Sequence, residues 1–213
     1  MLKNKIDDLL ILITIVIILT TIKIPFLNTI LSVLIILIYT RTTSNFKDGL
    51  GFKKQKNIIK TIGVSLFFAI SIISLSIYIL LPSIEFFTNQ EINLSAFKQI
   101  KGNINSLILF LTFGWVIGGF FEEIIFRGFF ITKIEKMFSR KISLFVAIIF
   151  PSVFFGYLHS YQGITGQILT GFVGLFLALI FVFNKKNIWV NILTHGFINT
   201  FTMVVFYYDL TLI

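Results

Sequence analysis

The chain has 213 residues, of which 56 % are hydrophobic and 13 % charged, and it carries a formal net charge of +9. A soluble domain averages about 25 % charged residues, so the composition points to a polytopic membrane protein with no room left for a separate soluble domain. The absence of cysteine excludes disulfides, thiolate nucleophiles and cysteine-based metal sites.

Seven apolar runs follow one another, at 9–24, 26–39, 62–81, 104–130, 142–158, 164–183 and 188–207. A spanning helix needs roughly 20 apolar residues, so the first two runs are short. Lys23 and Pro25 separate them, and two thin spans are expected there, with a less regular hairpin as the alternative. Lys3 and Lys5 before the first run resemble the start of a signal peptide. No small-x-small cleavage site follows, so an uncleaved first span is expected. The segment 41–60, broken by Gly49 and Gly51, is expected as the longest inner loop, and 82–103, with Glu85 and Glu91, as an outer loop lying along the interface. With the N-terminus inside, fourteen Lys and Arg fall on the inner side and three (Lys23, Lys98 and Lys101) on the outer side. That bias predicts an all-α bundle of about seven transmembrane helices in the plasma membrane, N-terminus cytoplasmic and C-terminus outside. The positive charge is then topology and attraction to anionic headgroups. Membrane lipids are the expected partners; nucleic acid is not.

Within the fourth run, Glu122, Glu123 and Arg127 stand among Phe120–Phe130. A charge at the centre of a spanning helix costs about 2.5–3.5 kcal/mol on insertion scales, so three within six residues require a reason. On an α-helix Glu123 and Arg127 are four apart, in the favourable acid-first order for an ion pair. Glu122 points about 100° away and is left for other work, such as general-base or general-acid chemistry. Taken alone, the three could equally be a buried ion-pair network. His159 ends the fifth run, one turn after Phe155, and His195 and Asn199 lie four apart on the seventh. Each of these elements alone could be polar glue between helices. Gly114, Gly118 and Gly119, and likewise Gly171 and Gly174, read as close helix packing.

Glu-Glu-x-x-x-Arg at Glu122–Arg127, Phe-x-x-x-His at Phe155–His159 and His-x-x-x-Asn at His195–Asn199 occur in this order on three successive helices. The set resembles the CPBP family of intramembrane proteases, which includes type II CAAX prenyl proteases and bacterial bacteriocin-processing and self-immunity proteins. The resemblance covers 104–207, including Phe126 and Gly128, and it divides the chain into N-terminal helices (1–103) and a catalytic core (104–207). It implies an endopeptidase acting on a membrane-associated or lipidated peptide, or on a peptide precursor. In that scheme Glu122 activates water with help from His159, His195 and Asn199 donate to the oxyanion, and Glu123 with Arg127 holds the helix in place. The site would lie in a water-filled cavity opening toward the inner face.

Zinc is the alternative cofactor, with Glu122, His159 and His195 as ligands and water in the fourth position. A metal-free site is favoured because His-x-x-x-Asn reads naturally as an oxyanion pair and no His-Glu-x-x-His occurs. On straight helices Glu122 lies about 12 Å, His195 about 10 Å, Asn199 about 16 Å and His159 about 25 Å from the inner ends of their runs. Convergence of His159 with the others therefore predicts a bend near Pro151 or an oblique fifth helix. Two rivals use the same residues: a transporter with a charge relay, and an immunity or scaffold protein that acts by binding alone.

Overall fold

The computed structural model describes residues 2–43, 49–137 and 140–210. Among these the secondary structure is entirely helical. Seven rods run in chain order: α1 (Leu2–Thr21), α2 (Leu27–Thr43), α3 (Ile58–Thr88), α4 (Ile104–Ile134), α5 (Arg140–Leu158), α6 (Gly163–Phe183) and α7 (Ile188–Tyr208). Four described helical stretches are long and apolar enough to cross a membrane: α3, α4, Ser160–Phe183 and α7. Leu27–Thr43 and Ile142–Leu158 are shorter apolar helices. The seven spans expected from the sequence thus appear as four candidate spans beside shorter rods.

Asparagine starts three of the rods. The side chains of Asn57, Asn103 and Asn187 accept from the backbone N–H of Lys60, Ser106 and Trp189, which satisfies donors that a first turn leaves free. Asn89 and Asp209 end α3 and α7 in the left-handed conformation, where short polar side chains are tolerated best. The turn after α1 contains Pro25 and a left-handed Phe26, in agreement with the break expected at Lys23 and Pro25.

Two expectations about helix geometry are corrected. The segment from Pro82 does not begin as a loop, because α3 continues through Pro82 to Thr88. A wide π-turn, Ser76–Leu80, precedes the proline and accommodates a residue that lacks an N–H and crowds the preceding turn. The region around Glu122 is also not a regular α-helix. Gly114–Glu122 and Ile124–Ile131 are both π-helical, so the α-helical angle separating Glu122 from Glu123 does not apply. π-Segments of this kind occur frequently at functional sites.

Every residue of Ile124–Ile131 is buried, which makes the end of α4 the centre of the bundle. Ile124, Ile125, Phe129 and Phe130 form the main core with Phe155, Phe181 and Ile15. α5 and α6 lie side by side, while α7 packs on α3 and on the π-helical part of α4. Large apolar side chains such as Phe67, Tyr78, Phe145, Val153 and Phe183 face outward, as lipid-facing positions do.

Polar contacts divide the two ends of the bundle. At one end Lys133 pairs with Asp8 at 2.7 Å, Lys186 pairs with Glu135, and Lys53 donates to the Lys185 carbonyl. The same Asp8 accepts from the Tyr39 hydroxyl at 2.7 Å, so one buried carboxylate joins α1, α2 and α4. At the other end Gly102 N–H donates to Tyr207 O, Lys101 pairs with Asp209, and Asn93 N–H donates to Gln162 O. Lys47, counted above among the inner basic residues, lies outside the described residues, as do the side chains of Lys3, Arg140 and Lys141.

Candidate active site

Glu123 is fully buried, and its Oε1 accepts from Arg127 Nη1 at 2.8 Å and from His195 Nδ1 at 2.8 Å. Arg127 Nη2 donates to the Gly174 carbonyl at 3.0 Å. The guanidinium also lies 5.0 Å from the centroid of the Phe155 ring, a distance at which cation and ring attract. The ion pair expected from the spacing is therefore present, and it reaches further than expected. Glu123 ties α4 to α7, and Arg127 ties α4 to α6 and α5.

This contact fixes the proton on His195. Glu123 Oε1 accepts from the Arg127 guanidinium and, as a carboxylate oxygen, accepts from His195 too, so Nδ1 of His195 is the donor. The other nitrogen, Nε2, faces Glu122, whose Oε2 is 4.0 Å away. Glu122 itself retains one-fifth of its side-chain exposure, unlike its buried neighbour Glu123. The two adjacent carboxylates thus have the separate environments that the sequence suggested, one locked in a pair and one open.

Asn199 Nδ2 donates to the Gly114 carbonyl at 2.8 Å, leaving its second N–H for another acceptor. A β-carbon at Gly118 would stand 2.5 Å from Asn199 Nδ2 and 3.6 Å from His195 Nε2. The amide and the imidazole therefore flank the same point on α4, and glycine there leaves it open. Expecting Gly118 to serve helix packing alone missed this. The signal was its position, four residues before Glu122.

His159 follows the last residue of α5, and its Nδ1 is 2.7 Å from the Phe155 carbonyl. A carbonyl only accepts, so Nδ1 donates, and the neutral ring presents Nε2 as an acceptor. The Phe155 ring stands 4.6 Å from the His159 ring and 5.9 Å from the His195 ring. Phe155 thus bridges the two histidines and covers Arg127. Tyr161 packs beside His159 at 5.8 Å. The structural part played by Phe155 and the proximity of Tyr161 were not legible in the motifs.

His195 and Asn199 thus flank Gly118, Glu122 faces His195 Nε2, Glu123 and Arg127 stand behind, and Phe155 bridges His195 to His159. Among the described residues, no three His, Cys, Asp or Glu side chains cluster closely enough to hold a metal ion. Glu122, His159 and His195 are not assembled as a zinc ligand set in this arrangement. The donors and acceptors present suit activation of a water molecule beside an oxyanion site.

Residues 104–201 match the family model described as type II CAAX prenyl endopeptidase Rce1-like. No curated protein and no solved structure matches the chain. The matched segment contains all three motifs, the helices α4 to α6 and α7 as far as 201. With its apolar helices the chain is a multi-pass membrane protein, and its residues 104–201 are similar to Rce1-like type II CAAX prenyl endopeptidases, a likeness consistent with the CPBP protease family.

Proposed function

We propose that the chain is an intramembrane endopeptidase that hydrolyses a peptide bond by carboxylate-activated water, in a membrane-associated or lipidated peptide or a peptide precursor. The observation that carries this reading is His195 Nε2, which faces Glu122 Oε2 at 4.0 Å and flanks Gly118 together with Asn199 Nδ2, held from behind by the Glu123–Arg127 pair. Glu122 takes a proton from water as the oxygen attacks the carbonyl carbon, and His159 Nε2 accepts a hydrogen bond that aims the water. The oxyanion receives Asn199 Nδ2–H and His195 Nε2–H. Because Nδ1–H is already given to Glu123, donation from Nε2 requires both ring nitrogens of His195 to be protonated. Glu122 then returns its proton to the leaving amine as the C–N bond breaks. Preorganised donors of this kind contribute about 3–4 kcal/mol each in acyl-transfer enzymes. Glu123 and Arg127 are positioning residues.

The lysine-rich end of the bundle is assigned to the cytoplasm, with the C-terminus outside, on the positive-inside bias. In a bacterial setting, the substrate fits peptide maturation or immunity to an antimicrobial peptide. The deciding experiment incubates the purified protein with a peptide library and reads products by mass spectrometry. Defined cleavage by the wild type and none by Glu122→Gln is the expected outcome. No product from either protein, with a substrate flux that depends on Glu122, would replace the protease reading with a transporter.

A further inference from the structure

We infer that an anionic phospholipid binds in the groove between α3 and α6, its acyl chain along the groove and its headgroup at the lysine-rich end. Val64, Phe68 and Leu75 of α3 form one wall, and Phe176, Leu179 and Phe183 of α6 the other. The two helices meet at their far end, where Thr88 Oγ1 lies 2.7 Å from Thr165 Oγ1, and they part along Ile58–Leu75 toward the lysine-rich end. Val190 and Ile198 of α7 pack with both behind the opening and close its floor. The cavity is about 440 Å³. From Val64 to Leu75 the wall runs about 16 Å along the helix, a shape that suits a single alkyl chain better than a second helix, which is about 10–12 Å across.

Chemistry at one end of the groove selects the headgroup. Asn184 lines that end, and its Nδ2 is buried without a hydrogen-bond partner among the described residues. An amide N–H so placed needs an acceptor, and an ester or phosphate oxygen supplies one. Lys185 is the next residue and is exposed, and Lys60 is exposed one helical turn before Val64. Neither forms an ion pair among the described residues, whereas Lys186 is taken by Glu135. Lys54 and Lys56 add further exposed positive charge to the same end. A basic rim at the end of a groove between membrane helices is complementary to an anionic headgroup. The six residues forming the walls lie apart from the candidate active site, so the inference does not depend on the proposed catalysis.

The test uses the full chain reconstituted in phosphatidylcholine bilayers containing a trace of phosphatidylglycerol with a photoactivatable group on its acyl chain. The expected result is labelling concentrated on Phe68, Leu75, Phe176 and Leu179, and exceeding several-fold that obtained with phosphatidylcholine carrying the same chain. Lys60→Ala with Lys185→Ala should remove most of that preference, since each lysine near the surface contributes about fivefold. Labelling of outward residues on α5, such as Phe145, should remain unchanged in the variant and reports that the fold is intact. Equal labelling by the two lipids, an even spread over all lipid-facing helices, or a groove closed by chain-to-chain crosslinking would overturn the inference.

Discussion

Two adjacent glutamates with opposite fates set the residue-scale chemistry. Glu123 spends its charge on Arg127 and His195, while Glu122 keeps partial exposure and a view of His195 Nε2. Glu122→Gln is nearly isosteric and removes only the base, so cleavage should fall by about 10²–10⁴-fold with unchanged helicity and melting. Retention of wild-type turnover would transfer the base to another carboxylate. Arg127→Ala should act on stability instead, because it leaves a buried carboxylate uncompensated, at a cost of about 3–5 kcal/mol. Adding Glu123→Gln should recover part of that loss in a thermal melt. A double variant no more stable than Arg127→Ala alone would contradict the pairing. Chelation should lower activity only modestly under the proposed mechanism. Zinc near one ion per chain, with activity lost on its removal and restored on its return, would overturn that expectation.

At the scale of the element, the wide turns of α4 and its glycines decide whether the site closes. α7 can bring Asn199 against Gly114 and Gly118 only because no side chain stands there. Gly118→Ala should displace the Asn199 amide and reduce cleavage by up to about 10²–10³-fold, the cost of losing one oxyanion donor. Gly63→Ala is the comparison, since a β-carbon there meets nothing within 4 Å and alanine favours the helix by about 1 kcal/mol. Equal activities in the two variants would remove the proposed role of Gly118. A similar argument applies to α5 and α6, where a β-carbon on Gly156 would stand 2.4 Å from the Gln167 carbonyl. That close approach places Phe155 where it reaches Arg127 and His195.

For the molecule as a whole, the basic loops gather at one end, and the N-terminal helices join the core there through Asp8, Tyr39 and Lys133. A chain without cysteine permits a direct test of orientation. Single cysteines in place of exposed Lys54 and Ser95 should be labelled by a membrane-impermeant maleimide from opposite faces of intact cells or vesicles. Lys54→Cys is expected to react only after the inner face is exposed, and Ser95→Cys without that treatment. Labelling of both from one face would refute the assigned topology.

The helical class, the breaks at Pro25 and between the runs, and the Glu123–Arg127 contact were all legible in the order of residues. Hydropathy, capping residues and four-residue spacing are local properties, readable without knowing what packs where. The sequence also presented Glu122, His159, His195 and Asn199 as candidates, because charge and polarity in apolar helices stand out against their surroundings. The packed bundle alone made α4 π-helical around the glutamates, set Glu123 to accept from His195, and left Gly118 as the open point between imidazole and amide. It alone revealed Phe155 as the bridge between the histidines and carried α3 past Pro82. Each of these depends on which side chain from a distant helix fills, or leaves empty, the space beside a given turn, and that is settled by packing rather than by the order of residues along the chain.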